Sequence, residues 1–373
     1  MAKKAPKKNI VKKTFNLDDF KNTENFDTIS KDKPLEWIPL SPAFHEAVGL
    51  PGIPKGYSTL FRGYSNTGKS TAMYEGIRAC QKMGILPVII DTENNFAFDY
   101  AKTIGVQFEE VVDEETGEII NYKGDFLFFN TTALKNKYGN HDYSDGKTKK
   151  EYRTKAVIED VAHLISDLEE LQAAGKLDRE LCFFWDSIGS INCFKSVISK
   201  SNNNMWNAGA LNTAFNDMLN DSIPSSRKEG QEYTNTFVGI QKIWLDSMQG
   251  AGVIKHKGGE AFYFGARLIV HLGGITSHGT SRLKATANGN DYYYATKTKI
   301  KIVKNQINGI EYEGDIASTS HGYINPDKKN EYTAKYKDFI LEKLNIGKGV
   351  DVEIEFGEDE PDESSLKEMY SSK

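Results

Sequence analysis

Two hydrophobic patterns alternate along the chain. Continuous apolar runs of strand length, bounded by polar or glycine-rich sequence, predict buried strands over residues 57–61, 86–91, 181–186, 236–241, 266–272 and 297–303. Apolar residues at helical spacing predict helices over residues 71–82 and 152–174. Because strands that are apolar throughout are typical of strands buried on both faces, the pattern favours an α/β fold. We expect a mostly parallel twisted sheet flanked by helices.

The regions outside these elements suggest a three-part organisation. Residues 1–50 carry a basic arm and a short apolar cluster at Phe15, Leu17, Phe20 and Phe26. That segment is too short for a core of its own, so the cluster must bury against this core or a neighbouring chain's. Residues 51–328 form the core, and its polar stretch 113–150 is expected to be a surface insertion of unassigned role.

Charge is concentrated at the two ends of the chain. Six lysines crowd the first thirteen residues. Residues 329–373 contain one amphipathic helix over 330–346, ended by Gly347, and then an acidic tail over 351–368. We expect both ends to be mobile. The tail either only solvates the chain or competes with a polyanion for a basic surface.

Composition narrows the class of protein. A chain of 373 residues with a net charge of −5 can bury a substantial core and carries no overall basic charge that would indicate nucleic-acid binding. The three cysteines are expected to be buried free thiols, not a disulfide or metal site. No apolar stretch reaches membrane-spanning length and no signal-peptide pattern is visible, so we expect a cytoplasmic protein with no membrane partner.

The most informative motif is a phosphate-binding loop over residues 63–71. It reads Gly63, Tyr64, Ser65, Asn66, Thr67, Gly68, Lys69, Ser70 and Thr71, which fits the pattern G-x-x-x-x-G-K-[ST] without departure. The glycines let backbone N–H groups point at phosphate oxygens, Lys69 neutralises their charge, and the Ser70 hydroxyl can ligate Mg²⁺. A predicted strand precedes the loop and a predicted helix follows it, which favours a nucleoside triphosphate site over a glycine-rich turn.

Polar residues end three of the predicted strands, where ligands bind in open α/β sheets. Asp186 ends an apolar run and suits a Mg²⁺ ligand opposite Ser70, the alternative being a turn cap. Glu93, just after Asp91, suits a general base that orients water for attack on the γ-phosphate, the alternative being a solvent-facing acid. Gln241 suits a γ-phosphate sensor that relays to the segment after it.

Two further groups of residues suit nucleotide and nucleic-acid contacts. Asp99 and Tyr100 could meet adenine by a hydrogen bond and by stacking, although a packed tyrosine is the alternative for Tyr100. Two segments mix positive charge with apolar or glycine residues, as DNA-binding loops do, although a flexible surface loop looks much the same. The first contributes Lys242, Met248, Ile254, Lys255, Lys257, Gly258 and Gly259, and the second contributes Lys195, Lys200 and Trp206.

Six motifs follow one another in a fixed order. They are Gly-Tyr-Ser-Asn-Thr-Gly-Lys-Ser-Thr at 63–71, Ile-Ile-Asp-Thr-Glu-Asn at 89–94, Phe-Phe-Trp-Asp-Ser at 183–187, Gly-Ile-Gln-Lys-Ile at 239–243, Lys-Gly-Gly-Glu-Ala-Phe-Tyr-Phe at 257–264 and Lys-Ile-Val-Lys-Asn at 301–305. This order resembles the RecA family of recombinases, and more narrowly the bacteriophage recombinases of the UvsX type. The first four motifs are generic to P-loop ATPases, and the last two are more specific.

The resemblance implies a RecA-type ATPase core that binds ATP and Mg²⁺ between adjacent subunits of a helical filament on DNA. Such a filament pairs single-stranded with homologous double-stranded DNA and exchanges strands, with the help of a mediator or single-strand-binding protein. The N-terminal apolar cluster would pack on a neighbouring core. Lys304 matches a lysine that reaches the neighbour's γ-phosphate. A phage origin would place the protein in the bacterial host's cytoplasm.

One departure from the family keeps alternatives open. The family's second bridging lysine is Gln306 here, which cannot supply positive charge, so Lys304 acts alone, Lys301 helps, or hydrolysis is slow. A slowly hydrolysing accessory filament protein that uses ATP as an assembly switch is therefore one alternative. A ring-forming helicase with the same core is another, although Arg267 and Arg282 are weak candidates for its arginine finger.

Overall fold

A computed structural model describes residues 16–17, 30–144, 149–153, 155–200, 204–245, 254–256, 260–274, 279–346 and 354–359. Within these ranges, only the backbone is described for residues 140–144, 149–153, 245, 254 and 256. Of the expected N-terminal cluster, Leu17 is described and is exposed, whereas Phe15, Phe20 and Phe26 lie outside the described residues. The lysine-rich arm, Gly347 and the chain beyond residue 359 also lie outside them.

Eighteen strands are described. They are β1 (Trp37–Pro39), β2 (Gly52–Pro54), β3 (Ser58–Gly63), β4 (Leu86–Asp91), β5 (Phe108–Val112), β6 (Ile119–Gly124), β7 (Leu127–Asn130), β8 (Asn140–Ser144), β9 (Lys149–Arg153), β10 (Leu181–Asp186), β11 (Thr236–Leu245), β12 (Ile254–His256), β13 (Leu268–Leu272), β14 (Thr280–Ala287), β15 (Asn290–Asn305), β16 (Glu313–Thr319), β17 (Gly322–Ile324) and β18 (Ile354–Glu358).

The described helices vary from one turn to four. They are α1 (Pro42–Val48), α2 (Lys69–Met83), α3 (Phe98–Ile104), α4 (Thr131–Tyr138), α5 (Ile158–Ala173), α6 (Phe194–Ile198), α7 (Asn204–Asp217), α8 (Ile223–Ser225), α9 (Ala261–Gly265) and α10 (Lys329–Lys343), with a π-helical turn at Met218–Ser222 and a 3₁₀ turn at Pro326–Lys328. No helix in the described part of the chain is long and apolar enough to cross a membrane.

A twelve-stranded sheet organises the molecule. Its parallel part runs in the order β13-β3-β11-β10-β4-β7, whereas the apolar run at 297–303, expected in a mostly parallel sheet, lies in β15, which pairs antiparallel with all its neighbours. Its other part is antiparallel, with β15, β16 and β17 continuing beyond β13, and β14 and β18 added to β15. The carboxyl ends of the six parallel strands therefore share one edge.

Helices cover both faces of the sheet because its central strands are apolar on both faces. In β10, Phe184 belongs to the core shared with α2, whereas Phe183 and Trp185 belong to the core shared with α5 and α7. Every residue of β10 is buried, which explains why its limits could be read from an apolar run. The cysteines Cys80, Cys182 and Cys193 are free and buried, as predicted.

The stretch 113–150 is only partly a surface insertion. The β5–β6 hairpin stands apart as a two-stranded sheet, but β7 pairs in parallel with β4 and extends the central sheet. Phe128 of β7 packs against Phe96 and Phe98, so this short apolar run is a sheet strand hidden among polar neighbours. The prediction of an insertion is therefore wrong for β7.

The C-terminal region also departs from the prediction. The expected amphipathic helix is present as α10, with a kink at Tyr336. Part of the acidic tail is a strand, because β18 pairs antiparallel with β14. Glu358 there accepts hydrogen bonds from Ser281 at 2.9 Å, Lys297 at 3.0 Å and Lys329 at 3.1 Å. The acidic segment at β18 is therefore paired with lysines of the core, whereas the sequence predicted a mobile tail.

Candidate nucleotide-binding site

The phosphate-binding loop connects β3 to α2 at the carboxyl edge of the sheet, where two glycines are required by close approaches. A Cβ atom on Gly63 would lie 2.1 Å from the carbonyl oxygen of Leu272. Gly68 has a φ of +90°, and a Cβ atom there would lie 2.2 Å from Oγ of Ser318. The loop therefore delivers the N-terminus of α2, with its free backbone N–H groups, to this edge, as anion binding requires.

Lys69, in the first turn of α2, is buried and folds back over the loop. Its ammonium donates to the carbonyl oxygen of Tyr64, to which the Thr67 hydroxyl also donates at 2.9 Å. Burial lowers the pKa of Lys69 to about 8, although the nearby Asp186 carboxylate acts in the opposite direction. Burial disfavours the charged form of this ammonium. A bound polyphosphate would stabilise the charged form, because it supplies negative charge within hydrogen-bonding reach.

Ser70 and Asp186 face each other across the sheet edge. The Ser70 hydroxyl donates to Oδ2 of Asp186 at 3.4 Å. Burial, together with the nearby Glu93 and Asp91 carboxylates, raises the pKa of Asp186 to about 6. This concentration of oxygen donors and negative charge fits Mg²⁺. The described residues contain no cluster of three or more His, Cys, Asp or Glu that could hold a metal by itself, so phosphate oxygens and water would complete the shell.

Glu93 follows β4 in a turn shaped by Asp91, whose carboxylate accepts from the backbone N–H groups of Glu93 at 3.1 Å and Phe96 at 2.9 Å. Both oxygens of the Glu93 carboxylate are engaged. Ser187 donates to Oε1 at 2.5 Å, and the Lys242 ammonium donates to Oε2 at 2.5 Å. Lys242, predicted to contact DNA, thus forms an ion pair with the predicted base.

Gln241 lies between the phosphate-binding strand and the segment predicted to bind DNA. Its side chain is fully buried, and its backbone on β11 lies in register with that of Arg62 on the neighbouring β3. Beyond it, β11 leaves the parallel sheet and forms a hairpin with β12, in which Trp244 pairs with Lys255. A change at the sheet edge therefore has a direct backbone route into that hairpin.

Tyr100 lies beside the loop, whereas Asp99 does not. The Tyr100 hydroxyl makes a hydrogen bond with Oγ1 of Thr71 at 2.8 Å and donates to the carbonyl oxygen of Thr319 at 2.9 Å. A cavity of about 800 Å³ opens here, and its walls include Ser65, Asn66, Tyr100, Tyr294, Ser318 and Thr319. Its size suits a nucleoside. Asp99 is exposed in the first turn of α3 and, contrary to the prediction of an adenine contact, is not among the described residues lining this cavity.

Sequence reasoning missed the cavity walls contributed by β14, β15 and β16, and the contacts of β17 with the phosphate-binding loop. Tyr323 of β17 donates to the carbonyl oxygen of Gly68 at 2.6 Å, and Ser318 of β16 packs against the same glycine. Glu75 of α2 is buried and accepts from the backbone N–H of Tyr323 at 2.7 Å, which fixes β17 against the helix. Since no motif marks these residues, only the run of tyrosines at 292–294 could have drawn attention to this region.

Besides Lys242, the residues predicted to contact DNA differ in how far the structure describes them. Lys195 of α6 lies over the ring of Trp206 in α7, with its ammonium 4.5 Å from the ring centroid. Lys200, just after α6, and Lys255 of β12 are exposed. For Ile254 only the backbone is described. The remaining four lie outside the described residues: Met248, Lys257, Gly258 and Gly259.

Lys304, on β15, contacts the carboxyl end of the short helix α9. Its ammonium donates to the carbonyl oxygens of Tyr263 and Phe264, both at 2.9 Å. Phe264 is 69% exposed, which is unusual for a phenylalanine. Nearby, Arg267 donates to Oε1 of Gln306 at 2.9 Å. The site residues Lys69, Ser70, Glu93 and Asp186 are thus brought together, whereas Lys304 belongs to a separate patch with an exposed aromatic ring.

Comparison with known proteins gives partial matches. The family described as the RecA N-terminal domain matches residues 29–120, which contain the phosphate-binding loop and Glu93. The chain is 35% identical over 75 residues to Protein RecA of Ureaplasma parvum serovar 3, covering 20% of this chain and 22% of that protein. It is 36% identical over 74 residues to Protein RecA of Legionella pneumophila strain Corby, covering 19% of this chain and 21% of that protein.

The matched region thus spans about a fifth of the length of these curated relatives. Asp186, Gln241 and Lys304 lie beyond the stretch matched by the family. The mixed α/β fold, with its large central sheet flanked by helices, is consistent with a RecA-type core. The family match over residues 29–120 and the partial relatives thus show a similarity to RecA proteins over part of the chain.

Proposed function

We propose that the protein is an ATP-dependent DNA recombinase that forms helical filaments on single-stranded DNA and catalyses homologous pairing and strand exchange. The observation that carries this proposal is the convergence of Lys69, Ser70, Glu93 and Asp186 at the edge of the sheet where the parallel strands β3, β10 and β4 end. The RecA-family matches support the same interpretation. Its setting would be the cytoplasm, where ATP and DNA are both available.

The chemistry of ATP hydrolysis assigns a task to each of these side chains. Lys69 and the N-terminus of α2 bind the phosphate chain, and the nucleoside occupies the cavity beside Tyr100. Ser70 and Asp186 hold Mg²⁺, which when bound neutralises charge on the phosphates. Glu93 orients the attacking water, and Gln241 detects the γ-phosphate and passes the signal along β11.

The β11–β12 hairpin and the α6–α7 region supply the DNA contacts. Lys255 and its cross-strand neighbour Trp244 combine a cation with a large, partly exposed aromatic ring. Lys195 and Trp206 repeat that combination. Proteins that bind single strands without sequence preference typically combine aromatic rings that stack on bases with cations that bind phosphates.

Neighbouring subunits would meet at the patch around α9. Exposed Phe264 offers an apolar contact, and Lys304 offers a cation to the neighbour's nucleotide. Desolvation and the nearby Arg267 both lower the pKa of Lys304. The neutral Gln306 thus does not leave Lys304 as the sole cation, because Arg267 is held beside it. This observation favours hydrolysis over a pure assembly switch.

Two assays on the full chain test the proposal. Binding of labelled single-stranded DNA should tighten with a non-hydrolysable ATP analogue and weaken with ADP, and Lys69→Ala should abolish the difference. Strand exchange should then occur between that DNA and a homologous duplex, but not a heterologous one. Unwinding of duplexes regardless of homology would favour the ring-forming helicase. ATP-dependent DNA binding without any exchange would favour the accessory filament protein.

A further inference from the structure

We propose that Lys242 withholds Glu93 from the hydrolytic reaction until single-stranded DNA engages the β11–β12 hairpin. Lys242 would thereby be a positioning residue that acts through Glu93. This inference rests on the proposed function and extends it, because it assigns the coupling between DNA and hydrolysis to one ion pair. Its first support is geometric: the Lys242 ammonium lies 2.5 Å from Oε2 of Glu93, and the Ser187 hydroxyl lies 2.5 Å from Oε1.

Such double engagement weakens Glu93 as a general base. A base must turn a carboxylate oxygen toward a water placed in line with the γ-phosphate, and a cation in contact with the carboxylate lowers its affinity for the proton of that water. Here the Glu93 carboxylate is held from two sides, and its charge is neutralised by direct contact with Lys242. The pair therefore describes a state in which nucleotide can bind at Lys69 while hydrolysis is disfavoured.

The two partners differ in their access to solvent. The Glu93 side chain is 14% exposed, whereas the Lys242 side chain is 37% exposed. Solvent screens a partly buried pair less than a surface pair, yet the ammonium can still move to another anion without becoming a buried unpaired charge. DNA phosphates are such an anion, and they compete for accessible lysines.

The two partners also differ in what holds them. Glu93 sits in a turn fixed by the Asp91 carboxylate. Lys242 is the last residue of β11 that pairs with β3, opposite Gly63, and the next residue, Ile243, already pairs with β12. Lys242 thus lies at the junction between the sheet and the hairpin. A displacement of the hairpin by DNA would move Lys242 while Glu93 stays in place.

The test compares ATPase rates with and without single-stranded DNA in variants of the full chain. Lys242→Met keeps much of the side chain but removes the charge, and we expect its DNA-free rate to rise by about twofold to fivefold, the upper part of the range that partly exposed ion pairs contribute. Lys242→Gln serves as a second variant if Lys242→Met does not fold. Lys242→Arg, which can still pair with a carboxylate, should keep the DNA-free rate low.

Two controls separate this effect from a structural one. The matched variant Lys123→Met removes an exposed lysine on the separate β5–β6 hairpin and should leave the DNA-free rate unchanged. The double variant Glu93→Gln/Lys242→Met should be as inactive as Glu93→Gln alone, because the raised rate passes through Glu93. A raised rate that survives in the double variant would overturn the inference.

The remaining outcomes distinguish this inference from the proposed function. If the wild-type protein is stimulated by DNA but Lys242→Met and Lys242→Gln hydrolyse no faster than wild type without DNA, the inference fails and the proposed function stands. If the wild-type protein hydrolyses no ATP with or without DNA, the proposed function fails and the inference fails with it.

Discussion

The hydroxyl of Ser70 lies 3.4 Å from the carboxylate of Asp186, and these two residues come from elements 116 positions apart in the sequence. The contact joins the first turn of α2 to the end of β10, so the phosphate-binding loop and the candidate metal ligand share one site. It also places the buried acid Asp186 near the buried Lys69. The pKa of Asp186 is raised, whereas the pKa of Lys69 is lowered.

We predict a bell-shaped pH dependence for binding of Mg²⁺-nucleotide. The pKa of Asp186 is raised to about 6 by burial and by Glu93 and Asp91, so protonation below that pH removes the carboxylate that the metal needs. Burial lowers the pKa of Lys69 to about 8, so deprotonation above that pH removes the cation that the phosphates need. Nucleotide affinity measured across this range should fall on both sides. Asp186→Asn should lose the acidic limb, and a flat wild-type profile would contradict the assignment of both groups.

Lys69→Ala should weaken nucleotide binding by roughly tenfold to a hundredfold, because a charge-assisted hydrogen bond to phosphate contributes about 1.5–3 kcal/mol. Isothermal titration measures this directly. Lys82→Ala, which removes an exposed lysine from the last turn of the same helix, is the matched control and should bind normally. Equal affinity of Lys69→Ala and the control would remove the phosphate-binding assignment.

Glu93→Gln should retain nucleotide and DNA binding while hydrolysis falls by about a hundredfold or more, as expected for loss of a general base. Steady-state phosphate release gives the rate, and DNA anisotropy with ATP checks the trapped state. Glu118→Gln, on the exposed β5–β6 hairpin, provides an equivalent charge change away from the site. Hydrolysis at the wild-type rate in Glu93→Gln would exclude this residue as the base.

Tyr100→Phe should lower the free energy of unfolding by about 1 kcal/mol, because the lost hydroxyl bridges Thr71 and the backbone of Thr319. Tyr100→Ala should also weaken nucleotide binding, since it removes the ring that forms part of the cavity wall. Urea denaturation and nucleotide titration separate the two effects. Tyr312→Phe, at an exposed tyrosine, should change neither.

Replacing both Lys255 and Lys257 by Ala should weaken DNA binding equally for all sequences. The slope of log affinity against log salt concentration should flatten by about 1.4, at roughly 0.7 for each single-strand phosphate that is no longer neutralised. A double variant of exposed Lys82 and Lys123 carries the same charge change and should keep the wild-type slope. An unchanged slope in the first variant would show that the hairpin does not contact DNA.

Local sequence was sufficient where one segment alone determines the structure. The limits of β4 and β10 followed from six-residue runs that end in an acid, and the structure reproduces both. The phosphate-binding loop could be predicted because its glycines stand at the positions where the backbone conformation of such a loop needs them. The grouping of Glu93 and Asp186 followed from the rule that parallel strands end at one edge.

The features that could not be predicted depend on partners distant in sequence. The β7 run is short and lies among polar residues, so its place beside β4 could not be read from its own pattern. The β18 strand is acidic and is accommodated only because Lys297 and Lys329 face Glu358. Likewise, the ion pair of Lys242 could not be predicted from its own segment, because its partner Glu93 lies 149 residues away.

The recombinase assignment can be tested in a single experiment, the ATPase rate with and without single-stranded DNA, measured on a sample also imaged by electron microscopy. We expect hydrolysis stimulated by DNA, together with extended helical filaments on that DNA. Closed rings, or the absence of hydrolysis under both conditions, would contradict the assignment.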